Sequence, residues 1–153
     1  MTLRERIQDG ITTAMRSGDA LRRDTLRMAE NAIYNAEKRD RRTYSDDEVA
    51  AILAREVKTR RESIVAFRGA GREDLAAKEE AEVAILAAFM PEQLSEAEIG
   101  SLVDEAIAAT GAAGPRDMGK VMGWLGPRTR GRADGRAVSQ AAGASLAALA
   151  GQG

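Results

Sequence analysis

Three times along this 153-residue chain a Ser or Thr is followed three positions later by Glu, just ahead of apolar residues recurring every three or four positions: Thr2-x-x-Glu5, Ser45-x-x-Glu48 and Ser95-x-x-Glu98. Each is a capping box, in which the hydroxyl accepts from an amide of the first helical turn while the carboxylate reaches back to the cap's own amide. Such starts commit the chain to helices. The stripe Leu3, Ile7, Ile11 and Met15 follows the first box and stops at Gly18, and Asp19 caps the next helix. Leu21, Thr25, Met28, Ala29, Ala32, Ile33 and Ala36 form its inner face, and Lys38-Arg39-Asp40-Arg41-Arg42 reads as a solvated basic connection. Val49, Ile52, Leu53, Val57, Ile64 and Phe67 trace the helix after the second box, which Gly69 and Gly71 break. Leu75, Val83, Leu86 and Phe89 line another, ended by Pro91.

The third box opens a helix through Ile99, Leu102, Val103, Ala106 and Ile107 that Gly111 stops. After the connector Gly111 to Pro115, Asp117 is placed to cap a short helix carrying Met118, Val121, Met122 and Leu125, which Gly126-Pro127 should end. Asp134 is placed to cap a last Ala-rich helix with Val138, Leu146 and Leu149 on its face. No useful stretch alternates with period two. The reading is all-α: about seven helices, an N-terminal helical bundle over residues 1–90 and a small C-terminal three-helix domain over 91–153. Composition agrees. Thirty of the residues are Ala and only five are aromatic, which favours helices over strands.

There is no Cys and no His. That removes disulfides, thiolate metal sites, the cysteine nucleophile, the Ser-His-Asp triad and the commonest metal ligand. No apolar run approaches the roughly 20 residues a membrane span needs, and the N-terminus lacks an apolar signal region, so a cytoplasmic location is expected. Charge is balanced in total, at −1, and uneven in space. Residues 1–68 carry net +3, 69–115 net −8 and 116–153 net +4. Nineteen of the 23 cations are Arg, whose fork suits phosphate, although they are spread along the whole chain.

Candidate chemistry is sparse. Glu79, Glu80 and Glu82, with Asp74 upstream, could hold a divalent ion in a bundle, but without His they read better as an exposed acidic face. No Lys stands at suggestive spacing from a Ser. The run Gly119 to Gly126 lacks the Gly-Lys-Ser/Thr and preceding strand of a phosphate loop, so its glycines read as allowing close packing against a neighbour or a ligand. The stretch Met118 to Arg136 is richer. Lys120, Arg128, Arg130, Arg132 and Arg136 gather near the only Trp, Trp124; Gly131 and Gly135 allow backbone approach, and Asp134 opens a helix beside the basic loop. Cations for phosphates, an aromatic for ribose and glycines for access suit a sugar-phosphate backbone. A solvated loop with Trp124 in a small core is the alternative.

Several segments together resemble the YqeY-like family: Arg23 to Met28, Lys58 to Ser63, Phe67 to Ala76, Lys78 to Glu82, Met90 to Ser95, Asp117 to Gly123 and Gly131 to Gly135. Gly119-Lys120-Val121-Met122-Gly123 and Gly131-Arg132-Ala133-Asp134-Gly135, preceded by Pro91-x-Gln93-Leu94-Ser95, make the resemblance specific. These small bacterial proteins are similar to the tail of the B subunit of the tRNA-dependent amidotransferase. The resemblance implies an all-α fold and, since that tail helps hold the tRNA body, tRNA or another structured RNA as ligand, with Lys120, Arg132 and Asp134 at family motif positions. It implies no cofactor. Amidation itself needs an amidase nucleophile and a nucleotide-metal site, and neither is legible, so the chain reads as an RNA-binding accessory without catalysis of its own. A second class stays open, an adaptor whose acidic middle, Glu73 to Glu105, meets a basic protein. Carbon-nitrogen ligase activity within a larger complex is the distant third.

Overall fold

A computed structural model describes residues 1–151; Gln152 and Gly153, the last residues of the predicted C-terminal domain, lie outside the described residues. The protein is all-α. Its helices are α1 (Leu3–Ser17), α2 (Ala20–Asp40), α3 (Asp46–Gly69), α4 (Glu73–Ala87), α5 (Glu96–Thr110), α6 (Met118–Thr129) and α7 (Gly135–Gly151), with a 3-10 turn at Pro115–Asp117 ahead of α6. They fall into two compact units, Met1–Met90 and Pro91–Gly153.

Thr2, Ser45 and Ser95 each form the reciprocal capping box with Glu5, Glu48 and Glu98, and Asp19 accepts from the Arg22 amide. Gly18 and Gly111 end α1 and α5 in the left-handed conformation, at φ 74° and 68°, where a Cβ would be strained. Two boundaries differ from the sequence reading. The basic run at 38–42 is mostly helix, for α2 continues through Asp40 and Arg41 is its left-handed cap at φ 56°. Lys38 and Arg39 favour that last turn, because cations there offset the helix dipole. Pro127 does not end α6, which runs two residues further to Thr129. A proline inside a helix removes one amide donor and crowds both the preceding residue and the carbonyl four back. Here the preceding residue is Gly126, which has no Cβ for the ring to crowd, and the bond lost at the Gly123 carbonyl falls in the last turn alone.

The first unit buries Leu3 and Ile7 of α1, Leu26, Ala29 and Ile33 of α2, Val49, Leu53 and Val57 of α3, and Leu86 of α4 with Phe89 beyond it. Met15 and Met28, expected on inner faces, are 55% and 52% exposed. The α1 stripe, at strict four-residue spacing, drifts about 40° per step around a helix of 3.6 residues per turn, so Met15, its fourth member, has left the core side. Gly10 marks a close approach: a Cβ there would stand 3.0 Å from both Leu26 Cδ1 and Phe89 Cζ. The guanidinium carbons of Arg6 and Arg22 lie 5.6 and 5.5 Å from the centre of that Phe89 ring.

α3 and α4 form the most extensive helix pair, and a buried ion pair joins them. Arg60 is 5% exposed and Glu82 7%. Arg60 Nε donates to Glu82 Oε2 at 3.0 Å, while Nη1 donates to the Glu56 carboxylate at 2.9 Å and the Glu56 carbonyl at 3.1 Å. Nη2 faces Met28 Sδ at 3.8 Å. Burial opposes the charge on Arg60, and its bonds to Glu56 and Glu82 outweigh that and hold it protonated. This corrects the reading of Glu79, Glu80 and Glu82 as an exposed acidic face. Glu82 is buried on Arg60, Glu79 is half-buried with Oε2 4.0 Å from Arg60 Nε, and Glu80 pairs with Arg68. No group of three or more acidic side chains able to hold a metal ion stands among the described residues.

Removing one partner of a buried pair leaves the other charge unsolvated and costs about 3–5 kcal/mol, whereas replacing both by apolar residues is often neutral. Arg60→Ala or Glu82→Ala should therefore destabilise the first unit by about 3–5 kcal/mol, and Arg60→Met with Glu82→Leu should recover most of it. Urea unfolding followed by circular dichroism checks this, and a Glu82→Ala cost near zero would contradict the pair. Glu79 behaves oppositely. Burial, and then the neighbouring Glu82 charge, raise its pKa. The folded state thus holds that proton more tightly than the unfolded chain, and the stability it contributes at acid pH is lost as pH rises through the raised value. Glu79→Gln should stabilise the unit at neutral pH and have little effect once Glu79 is protonated.

Candidate functional site

The second unit is small, and three helices meet in its core. Ile99, Val103 and Ala106 come from α5, Val121 and Leu125 from α6, and Val138, Ala142 and Leu146 from α7. Each set recurs every three or four residues, so each helix turns one stripe inward. Trp124, Met118 and Met122 are half-buried at its edge.

All the predicted site residues lie on α6, the α6–α7 loop and the first turn of α7. The structure separates them by what they do. Arg132 is a structural residue. Its Nε donates to the Glu92 carbonyl at 3.3 Å and its Nη1 to the Arg128 carbonyl at 3.5 Å. Its own carbonyl accepts from the Leu94 amide at 2.8 Å, and Gln93 Nε2 donates to the Gly131 carbonyl at 3.0 Å. The segment entering the unit is thereby clamped onto the α6–α7 loop, and two motif blocks some forty positions apart in sequence become one feature. Gly131 stands at φ 74°, so its glycine is required by the turn that closes α6.

Arg128 is engaged too. Its Cζ sits 3.7 Å from the centre of the Trp124 ring and its Nη1 donates to the Trp124 carbonyl at 2.6 Å. The guanidinium lies stacked on the indole, with its charge retained at the surface. Lys120 is exposed, and Asp117 is 3.8 Å away across a partly solvated pair. Arg130 and Arg136 are exposed and, among the described residues, form no ion pair. Asp134 caps α7 as predicted, accepting from the Arg136 amide at 3.3 Å. Asp117 does not cap α6. It accepts from the Ala113 amide at 2.8 Å, because the 3-10 turn turns it back toward the end of α5.

The glycines of α6 narrow one expectation, that they allow close packing against a neighbour or a ligand, by removing the neighbour. No atom of a neighbour lies within 4 Å of where a Cβ would stand at Gly119, Gly123 or Gly126. They do not serve close packing against another helix. Spaced four and three apart, they share one side of α6, which leads at the same spacing to Arg130. That side is bare backbone facing open space. Gly135 likewise meets nothing. Sequence reasoning missed Arg116, an exposed cation on the 3-10 turn without an ion pair among the described residues. It also missed Gln93 as part of the clamp; its place in the Pro91 to Ser95 block was the available signal.

The division into engaged and free cations is testable. A hydrogen bond from a charged group is worth about 1.5–3 kcal/mol when buried, and Arg132 is half-exposed, so Arg132→Ala should cost the second unit about 1 kcal/mol. Arg130→Ala and Arg136→Ala should change it by less than about 0.5 kcal/mol. Urea unfolding followed by Trp124 fluorescence reports on this unit alone. Equal effects from all three would return Arg132 to the exposed set.

The comparisons with known proteins fit this layout. A family model described as Yqey-like protein matches residues 4–146, and so runs through both units. A protein of Pyrenophora tritici-repentis named altered inheritance of mitochondria protein 41, mitochondrial, is 33% identical over 130 residues, covering 84% of this chain and 71% of the relative. An uncharacterized protein of Schizosaccharomyces pombe is 37% identical over 71 residues, 46% of this chain and 58% of the relative. No helix among the described residues is long and apolar enough to cross a membrane. With the family match spanning both units and the motif blocks meeting in the clamp, the chain belongs to the YqeY-like family.

Proposed function

We propose that the protein is an RNA-binding accessory protein without catalysis of its own, which takes tRNA or another structured RNA on the outer side of α6 and the adjoining loop. The observation that carries the reading is the glycine side of α6. A glycine inside a helix costs about 1 kcal/mol relative to alanine. At Gly119 and Gly123 no internal packing offsets that cost, since nothing approaches the Cβ position. A side-chain-free helix surface beside Lys120, ending at the unpaired Arg130, lets a sugar-phosphate backbone approach the main chain closely. Arg136 and the Arg128–Trp124 stack add cations at one end, and Arg132 serves by fixing the loop. Asp117 and Asp134 are turned onto backbone amides, and Asp117 also lies 3.8 Å from Lys120, so the cations that act without a nearby carboxylate partner are Arg130 and Arg136. The relatives' names state no ligand or reaction, and the tRNA assignment rests on the family's similarity to the amidotransferase tail.

A second reading, a protein-interaction adaptor, now narrows. The acidic middle is divided between two units, and Glu82 is buried. What favours it is a shallow groove of about 350 Å³ along α5, lined by Leu94, Ala97, Ser101 and Leu102 and rimmed by Glu98, Glu105 and Arg132. A largely apolar floor with two carboxylates and one guanidinium on its rim suits an amphipathic segment of a protein partner.

Titrating the protein with bulk tRNA and with duplex DNA of equal charge, at several salt concentrations, tests the first reading through Trp124 fluorescence and labelled-tRNA anisotropy. Tighter binding of tRNA is expected, with Arg130→Glu plus Arg136→Glu weakening it and flattening the salt dependence by about one unit for each phosphate-binding cation removed. Gly119→Ala and Gly123→Ala should move stability and binding in opposite directions: each stabilises α6 by up to about 1 kcal/mol and weakens tRNA binding. Weak, equal binding of both nucleic acids would overturn the proposal and direct attention to the α5 groove.

A further inference from the structure

The outward side of α2, in the first unit, takes no part in the site described above. At helical spacing it presents Arg27, Asn31, Tyr34 and Lys38, with Asn35 alongside and Arg41 at the cap. All six are exposed, Tyr34 by 54%, which is unusual for one of only five aromatic residues in the chain. From Arg27 to Lys38 the row extends about 16 Å at 1.5 Å per residue.

The charges on this row are only partly offset by the helix that carries them, Asp24 acting on Arg27 without pairing with it. α2 has four carboxylates, and each is engaged elsewhere. Asp24 pairs with Arg23, Glu30 with Arg4, Glu37 with Arg4 and the Tyr44 amide, and Asp40 with Arg39 and the Tyr44 hydroxyl. Among the described residues Arg27, Lys38 and Arg41 form no ion pair, and Arg27 donates only to Met15 Sδ at 3.4 Å. The neighbouring cations differ, since Arg39 is held by Asp40, and Arg42 by Glu48 and the Tyr44 ring. Arg41 also adopts φ 56°, and it is the only residue other than glycine with positive φ among the described residues. That is a conformation a long side chain rarely takes.

We propose that this row binds an unpaired segment of RNA: Tyr34 stacks on an exposed base, Asn31 and Asn35 hydrogen-bond its edge, and Arg27, Lys38 and Arg41 hold flanking phosphates. Cations alone would suit any polyanion. An exposed aromatic between two amides adds a stacking face and paired donors and acceptors, the combination that unpaired bases use. The inference rests on the RNA reading and extends it to a separate surface on the other unit.

The test uses the full-length protein and a labelled, unstructured oligoribonucleotide, followed by anisotropy, with ultraviolet crosslinking mapped by mass spectrometry. Tyr34→Ala should weaken binding about tenfold and Tyr34→Phe should restore it. Arg27→Gln, Lys38→Gln and Arg41→Gln together should flatten the salt dependence by about two units, at roughly 0.7 per phosphate on a single strand. All these positions face solvent, so circular dichroism should show unchanged folding. Crosslinking at Tyr34 that persists in the Arg130→Glu, Arg136→Glu variant supports the row as a surface of its own. Oligoribonucleotide binding that depends only on Arg130 and Arg136 overturns this inference and leaves the α6 reading intact. Binding of neither tRNA nor the oligoribonucleotide overturns both. Equal binding of heparin, with no effect of Tyr34→Ala, overturns it by reducing the row to general polyanion affinity.

Discussion

A guanidinium withdrawn from water governs the first unit. Arg60 stands among Val57, Ile64 and Leu53 on the inner stripe of α3, where an aliphatic side chain would ordinarily sit. Burial there is tolerable because α3 supplies the Glu56 carboxylate and carbonyl and α4 supplies Glu82, all within 3.1 Å. The requirement is directional as well as electrostatic. An apolar contact between α3 and α4 could slide by a turn at modest cost, whereas a buried guanidinium has its donors satisfied only when Glu82 stands opposite it. The pair thus fixes the register of the most extensive helix contact in the protein. Two segments of the family resemblance, Lys58 to Ser63 and Lys78 to Glu82, each contribute one partner of this bond, Arg60 and Glu82. The role of those two residues is architectural.

The second unit solves a different problem. A three-helix core built around Ile99, Val103, Val121, Leu125, Val138 and Leu146 is small, and small cores leave little stability in reserve. The extended segment at Pro91 to Leu94 is therefore tied to the α6–α7 loop by backbone and side-chain bonds at Leu94, Gln93 and Arg132. The loop that carries the free cations is held in one shape from behind. A binding surface held rigid before the ligand arrives loses less conformational freedom on binding.

The helices are legible because their signals are local. Capping boxes, left-handed glycines and apolar periodicity each act within one or two turns, and each produces the element it announces. The misreadings share a cause as well. Residue type alone puts Arg60 and Glu82 at the surface, although their spacing from Val57, Ile64 and Leu86 places both on inner faces. The period is the better guide. A proline disrupts a helix most in its middle, and Gly126 before Pro127, together with the place of Pro127 in the last turn, limits that effect here. Asp117 stands where it could cap the helix after it and serves the turn before it, a choice set by a 3-10 turn that no periodicity marks. At the candidate site, composition locates the basic corner, but composition does not say which cations are already bonded. That depends on bonds between residues far apart in the chain, such as Arg132 with Glu92.

Engagement matters more than charge count in deciding what such a chain can bind. The second unit carries six basic and seven acidic residues, so its total charge predicts no affinity for a polyanion. Most of its acidic residues are placed otherwise than its basic ones, with Asp117 beside Lys120 the exception in an ion pair. Glu96, Glu98, Asp104 and Glu105 belong to α5, while Asp117 and Asp134 hold backbone amides around α6. The cations of α6 and the loop are left with few local counter-charges. At the ~8 Å screening length of physiological salt, a phosphate on that surface responds to the nearest charges and hardly at all to those on a remote face. A net charge of −1 for the whole protein is therefore compatible with a locally cationic surface beside the bare glycine side of α6.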